Sequence, residues 1–177
     1  MKRLGAALLP FCLTACMSTD VDRYRAERPE LDLRDYLNGT LDAWGMFQGR
    51  SGEVTKRFHV LIEARWSGDT GVLDEQFSWS DGTSSRREWT LIRQPDGSFR
   101  GRADDVIGEA VGEVAGNALR WRYVLALPVD DKVYHVDFDD WMFLMDDRVM
   151  LNRSYMSKWG FRLGEVSLTF VKRPPQP

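Results

Sequence analysis

The chain has 177 residues, with 24 Lys+Arg against 27 Asp+Glu and a net charge of −3, a balance that disfavours nucleic acid as a partner because phosphate backbones are held by excess cation. Its two cysteines, Cys12 and Cys16, stand near the N-terminus and its two histidines are His59 and His135, which excludes disulfide frameworks, thiolate clusters and multi-histidine metal centres from the body of the chain. No second domain is needed, because about 160 residues bury roughly two thirds of their surface in one core without staples.

The N-terminus opens on Lys2-Arg3 and a weakly polar run over residues 4–15. About twelve residues match the h-region of a signal peptide and fall short of the roughly twenty that a spanning helix needs. The run closes on Leu13-Thr14-Ala15-Cys16, which resembles the lipobox of Gram-negative bacterial lipoproteins. That resemblance implies cleavage before Cys16, diacylation of its thiol, and a freed amino group that takes a third chain. Residues 1–15 are thus expected to be a signal peptide, and lipid on Cys16 to tether the mature protein to a membrane, since two or three acyl chains anchor stably where one holds marginally. By likeness to lipoprotein sorting in enteric bacteria, Met17, which is not aspartate, favours the periplasmic face of the outer membrane. Loss of Lys2 and Arg3 takes the net charge from −3 to −5, and loss of Cys12 with acylation of Cys16 leaves no free thiol.

Residues 16–30 are polar, lack an apolar period, and are expected to form a lipidated flexible spacer. The domain is expected over residues 31–173, with a proline-rich tail at 174–177. Leu33, Tyr36 and Leu37 share a helical face in a segment that stops at Asn38-Gly39, a left-handed C-cap signal. From there period-two segments separated by turn residues take over. Phe58, Val60, Ile62, Ala64 and Trp66 alternate with His59, Glu63 and Arg65. Leu73, Glu75, Phe77 and Trp79 follow a Gly68–Gly71 turn, Asp81-Gly82 leads to Trp89 and Leu91, and Asp96-Gly97 reads as a type I′ hairpin. Gly116-Asn117 joins Val106–Ala115 to 119–127, whose Leu119, Trp121, Tyr123, Leu125 and Leu127 form the cleanest apolar stripe. Strands near 132–145, 148–156 and 164–172 complete the set, with 157–164 as a loop or short helical link. About ten segments with almost no helix between them argue for an all-β chain paired antiparallel in sequence order. A closed up-and-down barrel removes the edges that an open sheet exposes; a sandwich blunts them too.

Several stretches carry a wider resemblance: Leu73-x-Glu75-x-Phe77-x-Trp79 with Asp81-Gly82, Arg87-x-Trp89, Asp105-Val106-Ile107-Gly108, Gly116-Asn117-Ala118, Asp140-Trp141-Met142, Asn152-Arg153-Ser154, and Lys158-Trp159-Gly160-Phe161 with Leu163-Gly164-Glu165-Val166. With these the chain resembles a family of uncharacterised bacterial lipoproteins catalogued as domain of unknown function 3833. The resemblance implies a lipid-anchored, lipocalin-like (calycin-type) barrel and no established activity. The lipocalin likeness further implies that a first-strand tryptophan, Trp44, packs under a late arginine, Arg153, and plugs one barrel end, although Asp42-Ala43-Trp44-Gly45 departs from the lipocalin Gly-x-Trp.

No GxSxG elbow, phosphate loop or HExxH helix occurs, which argues against nucleotide-dependent and zincin-like chemistry. His135-x-Asp137-x-Asp139 shares one strand face but reads as a solvated rim, so neither a metal nor a cofactor is assigned. Glu75 is the most informative residue, because its alternation with Leu73, Phe77 and Trp79 puts a carboxylate on an apolar face, where burial raises its pKa. Arg87 stands in the same period-two relation to Trp89, so a Glu75–Arg87 pair inside the barrel is expected, as a register-fixing ion pair, a head-group site or a catalytic acid. Tyr123 lies on the apolar stripe. Trp141, Met142, Met145, Met150 and Met156 are core or an adaptable acyl-chain lining. Asn152, Arg153, Tyr155 and Lys158 are a polar set able to hold a carboxylate or phosphate head group, or to cap the barrel end. The leading expectation is a periplasm-facing binding module for a fatty-acyl or phospholipid ligand. A structural or accessory lipoprotein with a solid barrel comes second, and an enzyme using Glu75 or His135 third. A solid interior excludes the carrier; an open one with Glu75 unpaired at its wall favours the enzyme.

Overall fold

A computed structural model describes residues 20–175; the lipobox, Cys16 and the final two residues lie outside them. Ten strands follow one another round a closed barrel: β1 (Gly39–Gly49), β2 (Val54–Ser67), β3 (Thr70–Trp79), β4 (Ser84–Arg93), β5 (Phe99–Arg102), β6 (Val106–Ala115), β7 (Ala118–Val129), β8 (Lys132–Leu144), β9 (Val149–Lys158) and β10 (Phe161–Lys172). Each pairs antiparallel with its neighbour in sequence, and β1 closes the ring against β10, from Leu41 opposite Lys172 to Gly49 opposite Gly164. The all-β up-and-down barrel expected from the alternation is the architecture found, and its closure leaves no unpaired edge.

Alternation sets the interior. In β7, Leu119, Trp121 and Leu125 are buried while Arg120 and Arg122 point away, and β2 does the same with Phe58, Val60, Ile62 and Ala64. Two inward glycines make room for the largest ring: the Trp121 indole lies 2.3 and 2.4 Å from where a Cβ would stand at Gly101 and Gly112. A side chain at either position collides with the indole, so these positions admit no Cβ without moving Trp121.

One end of the barrel is shut. The short helix α1 (Leu33–Tyr36) is capped by the Asp32 carboxylate, which accepts from the backbone N–H groups of Arg34 and Asp35. It buries Leu33, Tyr36 and Leu37. The Tyr36 hydroxyl donates to the Arg148 carbonyl at 3.0 Å, and the Trp66 indole N–H donates to the Leu37 carbonyl at 2.6 Å. The helix is capped at Leu37, whose N–H donates to the Leu33 carbonyl, and Gly39, at φ +94°, takes the left-handed conformation two residues later at the start of β1.

Four local expectations change. Residues 20–30, expected within the spacer, dock on the barrel's outer face, and residues 16–19 lie outside the described residues. A 3-10 turn (Val21–Tyr24) buries Val21 with Ala115 and Ala118, sets Tyr24 edge-on to Phe143 at 4.9 Å, and passes so close over Gly116 that the Tyr24 carbonyl oxygen occupies the place of a Cβ. Val21 and Tyr24 are too widely spaced among polar residues to register as a period. Residues 157–164 form no loop: β9 and β10 meet at Trp159-Gly160, with φ 52° and 79°, the signs of a type I′ turn. At Asp96-Gly97 only Gly97 is left-handed (φ 86°). The Gln94 N–H donates to the Ser98 carbonyl and the Gly97 N–H to the Gln94 carbonyl, a type I turn closed by a glycine bulge, which Pro95 with its fixed negative φ favours. Finally, Trp44 does not plug the barrel. It lies outside, 52% exposed, beside His59 at 5.3 Å, and Trp66 seals the closed end instead.

Candidate functional site

The interior is not solid. A cavity of about 280 Å³ runs from a floor of Leu33 and Leu37 toward Phe47, Phe77 and Trp79 near the opposite end. Its walls are mostly apolar, and Trp79 is fixed at the mouth by donating its indole N–H to the Ser85 hydroxyl at 2.9 Å, with the Lys56 ammonium 4.5 Å from the ring centre.

Nine polar side chains interrupt that lining: Glu75, Ser85, Arg86, Arg87, Asp105, Tyr123, Asp140, Asn152 and Ser154. Strand parity turns all of them inward except Arg86, which is held by the outward Asp74, and the loop residue Asp105. Glu75 and Arg87 are direct cross-strand partners on β3 and β4; Trp121 opposes Asp140, which opposes Ser154 across β7, β8 and β9; Met142 opposes Asn152. The expected juxtaposition of Glu75 and Arg87 is therefore present, but the hydrogen bonds go elsewhere. Arg87 donates through Nε and a terminal nitrogen to Asp105 Oδ2 at 2.9 and 2.6 Å. Asp105 sits in the short β5–β6 connection and reaches back over the cavity. Sequence alternation missed it because a loop residue has no assigned face.

Among the described residues no hydrogen bond or ion pair reaches the Glu75 carboxyl. What surface it keeps belongs to the cavity it lines, and it is otherwise enclosed. Burial pushes its pKa up to about 7; the Arg87 charge opposes this, while Asp105, Asp140 and Asp74 add to it. Asp140 is also raised to about 7, chiefly by burial, although the Ser154 hydroxyl donates to it and the Asn152 amide favours its charged form. Tyr123 lies stacked on Phe138 at 5.0 Å and edge-on to Trp89 at 5.5 Å. Burial, then the Asp140 charge, moves its hydroxyl well above its ordinary value. Two acceptor atoms in this set, Asp105 Oδ1 and Asn152 Oδ1, are buried without a partner, a state that folded proteins rarely leave unexplained.

Four residues expected at a ligand site lie elsewhere. Trp141 is on the outer face beneath Tyr24, with Arg120 5.0 Å over its ring. Arg153 is outside as well, donating to Glu165 at 2.9 Å and covering the Tyr155 ring at 4.8 Å. Lys158 ends β9 with its ammonium near Tyr134 and Trp159. Density of polar residues along the chain was the wrong signal here, since neighbours on a strand face opposite sides. Met142, Met150 and Met156 do face inward, and Met142 and Met150 line the cavity. His135 and Asp137 line a shallow outer depression, Asp139 is bound by Arg120, and no group of three or more metal-ligating side chains is assembled among the described residues.

Comparison with curated proteins finds no match. The model of a protein family of unknown function, DUF3833, matches residues 10–172, nearly the whole chain and every strand that builds the cavity. The chain belongs to this family.

Proposed function

We propose that this protein is an envelope lipoprotein, tethered through lipid on Cys16 to the periplasmic face of the outer membrane, whose barrel holds one small amphipathic molecule. The cavity carries this proposal: an apolar chamber of about 280 Å³ with a carboxyl at its wall that no protein group satisfies. That volume is at the lower edge of the roughly 300–1,000 Å³ of small-molecule sites, which suits a single-chain ligand better than a two-chain phospholipid. An accessory role with a solid barrel loses support from the same chamber.

Native mass spectrometry of the gently extracted full chain, followed by identification of what co-purifies, tests the carrier. A bound small molecule is expected, and Val60→Trp, which fills the cavity, should abolish it. Equal retention in that variant, or a ligand-free wild type insensitive to every apolar probe, overturns the proposal. The anchor is tested separately: a palmitate analogue should label wild type and not Cys16→Ser, and equal labelling of both contradicts the tether.

Acid–base catalysis on the bound molecule is the second reading, favoured by Glu75 standing unpaired at the wall with a pKa of about 7, the range suited to a general acid or base at neutral pH. It ranks second because the other carboxyls of the cavity are engaged, Asp140 by Ser154 and Asp105 by Arg87, and both histidines lie outside. Conversion of the co-purified molecule by wild type and not by Glu75→Gln would reverse that ranking.

A further inference from the structure

The carrier proposal leaves the ligand's polar group open, and the cavity's own donors and acceptors narrow it. Three carboxyls, Glu75, Asp105 and Asp140, share the chamber with the Arg87 guanidinium; Arg86 also borders it but is held by Asp74 through two hydrogen bonds. The Arg87 guanidinium already gives two N–H groups to Asp105 Oδ2. The Ser154 proton goes to Asp140. Asn152, only 8% exposed, turns its amide nitrogen toward Asp140 and leaves its oxygen without a donor. Asn152 Oδ1 and Asp105 Oδ1 are buried acceptors without a donor, and the Glu75 carboxyl takes no hydrogen bond among the described residues; the Tyr123 hydroxyl and the remaining Arg87 N–H groups are neighbouring donors, but carboxyls outnumber cations round the chamber. A carboxylate or phosphate head group would add charge of the wrong sign and more acceptors. A protonated amine brings up to three donors and one positive charge.

We propose that the cavity selects a single-chain amphiphile with a cationic amine, its nitrogen facing Glu75 and the unsatisfied oxygens of Asp105 and Asn152, its chain directed to the Leu33–Leu37 floor. This replaces the head group expected from sequence, a carboxylate or phosphate on a fatty-acyl or phospholipid molecule, with one of opposite charge. Rise of the Glu75 pKa fits, because a buried carboxylate with no cation of its own prefers the proton. The other groups whose charge reaches Glu75 are Arg87, Asp105, Asp140 and the outward Asp74.

The test compares octylamine, octanol and octanoate by titration calorimetry on the full chain freed of co-purified ligand, near neutral pH. A charge-assisted hydrogen bond in a buried site makes octylamine bind at least about tenfold tighter than octanoate and octanol. Glu75→Gln should erase that preference while the circular dichroism spectrum stays as in wild type. Octanoate binding as tightly as octylamine overturns this inference and leaves the carrier proposal standing. Octanol equal to octylamine overturns the assignment of charge. If none of the three binds or shifts the melting temperature, the carrier proposal falls and this inference with it.

Discussion

Asp74 and Glu75 are neighbours in sequence, as are Arg86 and Arg87, and each pair is split by the sheet. Outside, Arg86 grips Asp74 through two hydrogen bonds of 2.6 and 2.9 Å, which hold the Asp74 carboxyl below its usual pKa. Inside, one register position away, Glu75 has no hydrogen bond and its pKa is pushed up to about 7. Asp139 and Asp140 repeat the split: Asp139 takes two hydrogen bonds of 2.8 Å from Arg120 on the outer face, and Asp140 is buried. At these two positions the outer face completes its ion pairs across strands, while the inner face holds more carboxyl than cation. Complete pairing suits a surface that needs only solubility and register; incomplete pairing in an apolar chamber suits one that waits for a ligand.

Arg86 and Arg87 give that contrast its largest expected effect. Arg87→Ala strips Asp105 of its partner and the chamber of its cation, so denaturant unfolding should show a loss of about 3 kcal/mol, whereas Arg86→Ala should cost less than about 1 kcal/mol. The Arg87→Ala/Asp105→Ala double variant should be less damaged than the sum of the singles. Equal losses at the two arginines would erase the distinction between the faces.

A pH series comes next. Glu75 and Asp140 bind protons more tightly folded than unfolded, so their contribution is fully present at pH values below their ordinary carboxylate pKa and is lost as pH rises toward about 7. Stability should therefore fall by on the order of 2 kcal/mol between pH 5 and pH 8. The outer carboxyls act in the opposite sense and at lower pH: Asp42, held down to about 2 chiefly by Arg173, and Asp74 stabilise above their ordinary pKa and lose that contribution on acidification. A profile flat or rising from pH 5 to 8 contradicts the account.

The smallest effects separate the adjacent carboxyls themselves. Glu75→Gln should raise stability at pH 8 by about 1 kcal/mol and leave it unchanged at pH 5, since it removes a charge that no protein group in the chamber satisfies. Asp74→Asn should lower stability by less than about 1 kcal/mol at either pH. Thermal unfolding of both at the two pH values checks the signs, and a destabilising Glu75→Gln at pH 8 would return Glu75 to a structural ion pair.

How much of this was legible in the sequence follows from the same parity. Strict alternation gave the barrel, its ten strands and the inward placement of Glu75, Arg87 and Tyr123, because each sits on a stripe whose apolar members fix the face. Asp140, Asn152 and Ser154 lie on strands where both faces carry polar and aromatic residues, so Trp141, Arg153 and Tyr155 looked equally eligible and proved to be outside. The Arg87–Asp105 bond was illegible for another reason: a connection three residues long has no period, and its side chains are aimed by tertiary packing. The docking of Val21 and Tyr24 likewise depends on a surface assembled from β6, β7 and β8, which no local pattern in residues 20–30 announces.

Two carboxyls inside this barrel, Glu75 and Asp140, stand at the chamber wall without an ion-pair partner among the described residues. A ¹³C shift titration of the side-chain carboxyls, assigned with Glu75→Gln and Asp140→Asn, tests it most directly. The account predicts midpoints near 7 for Glu75 and Asp140 and a downward shift of the Glu75 midpoint when octylamine is added. Midpoints within the ordinary carboxylate range for both residues would contradict it.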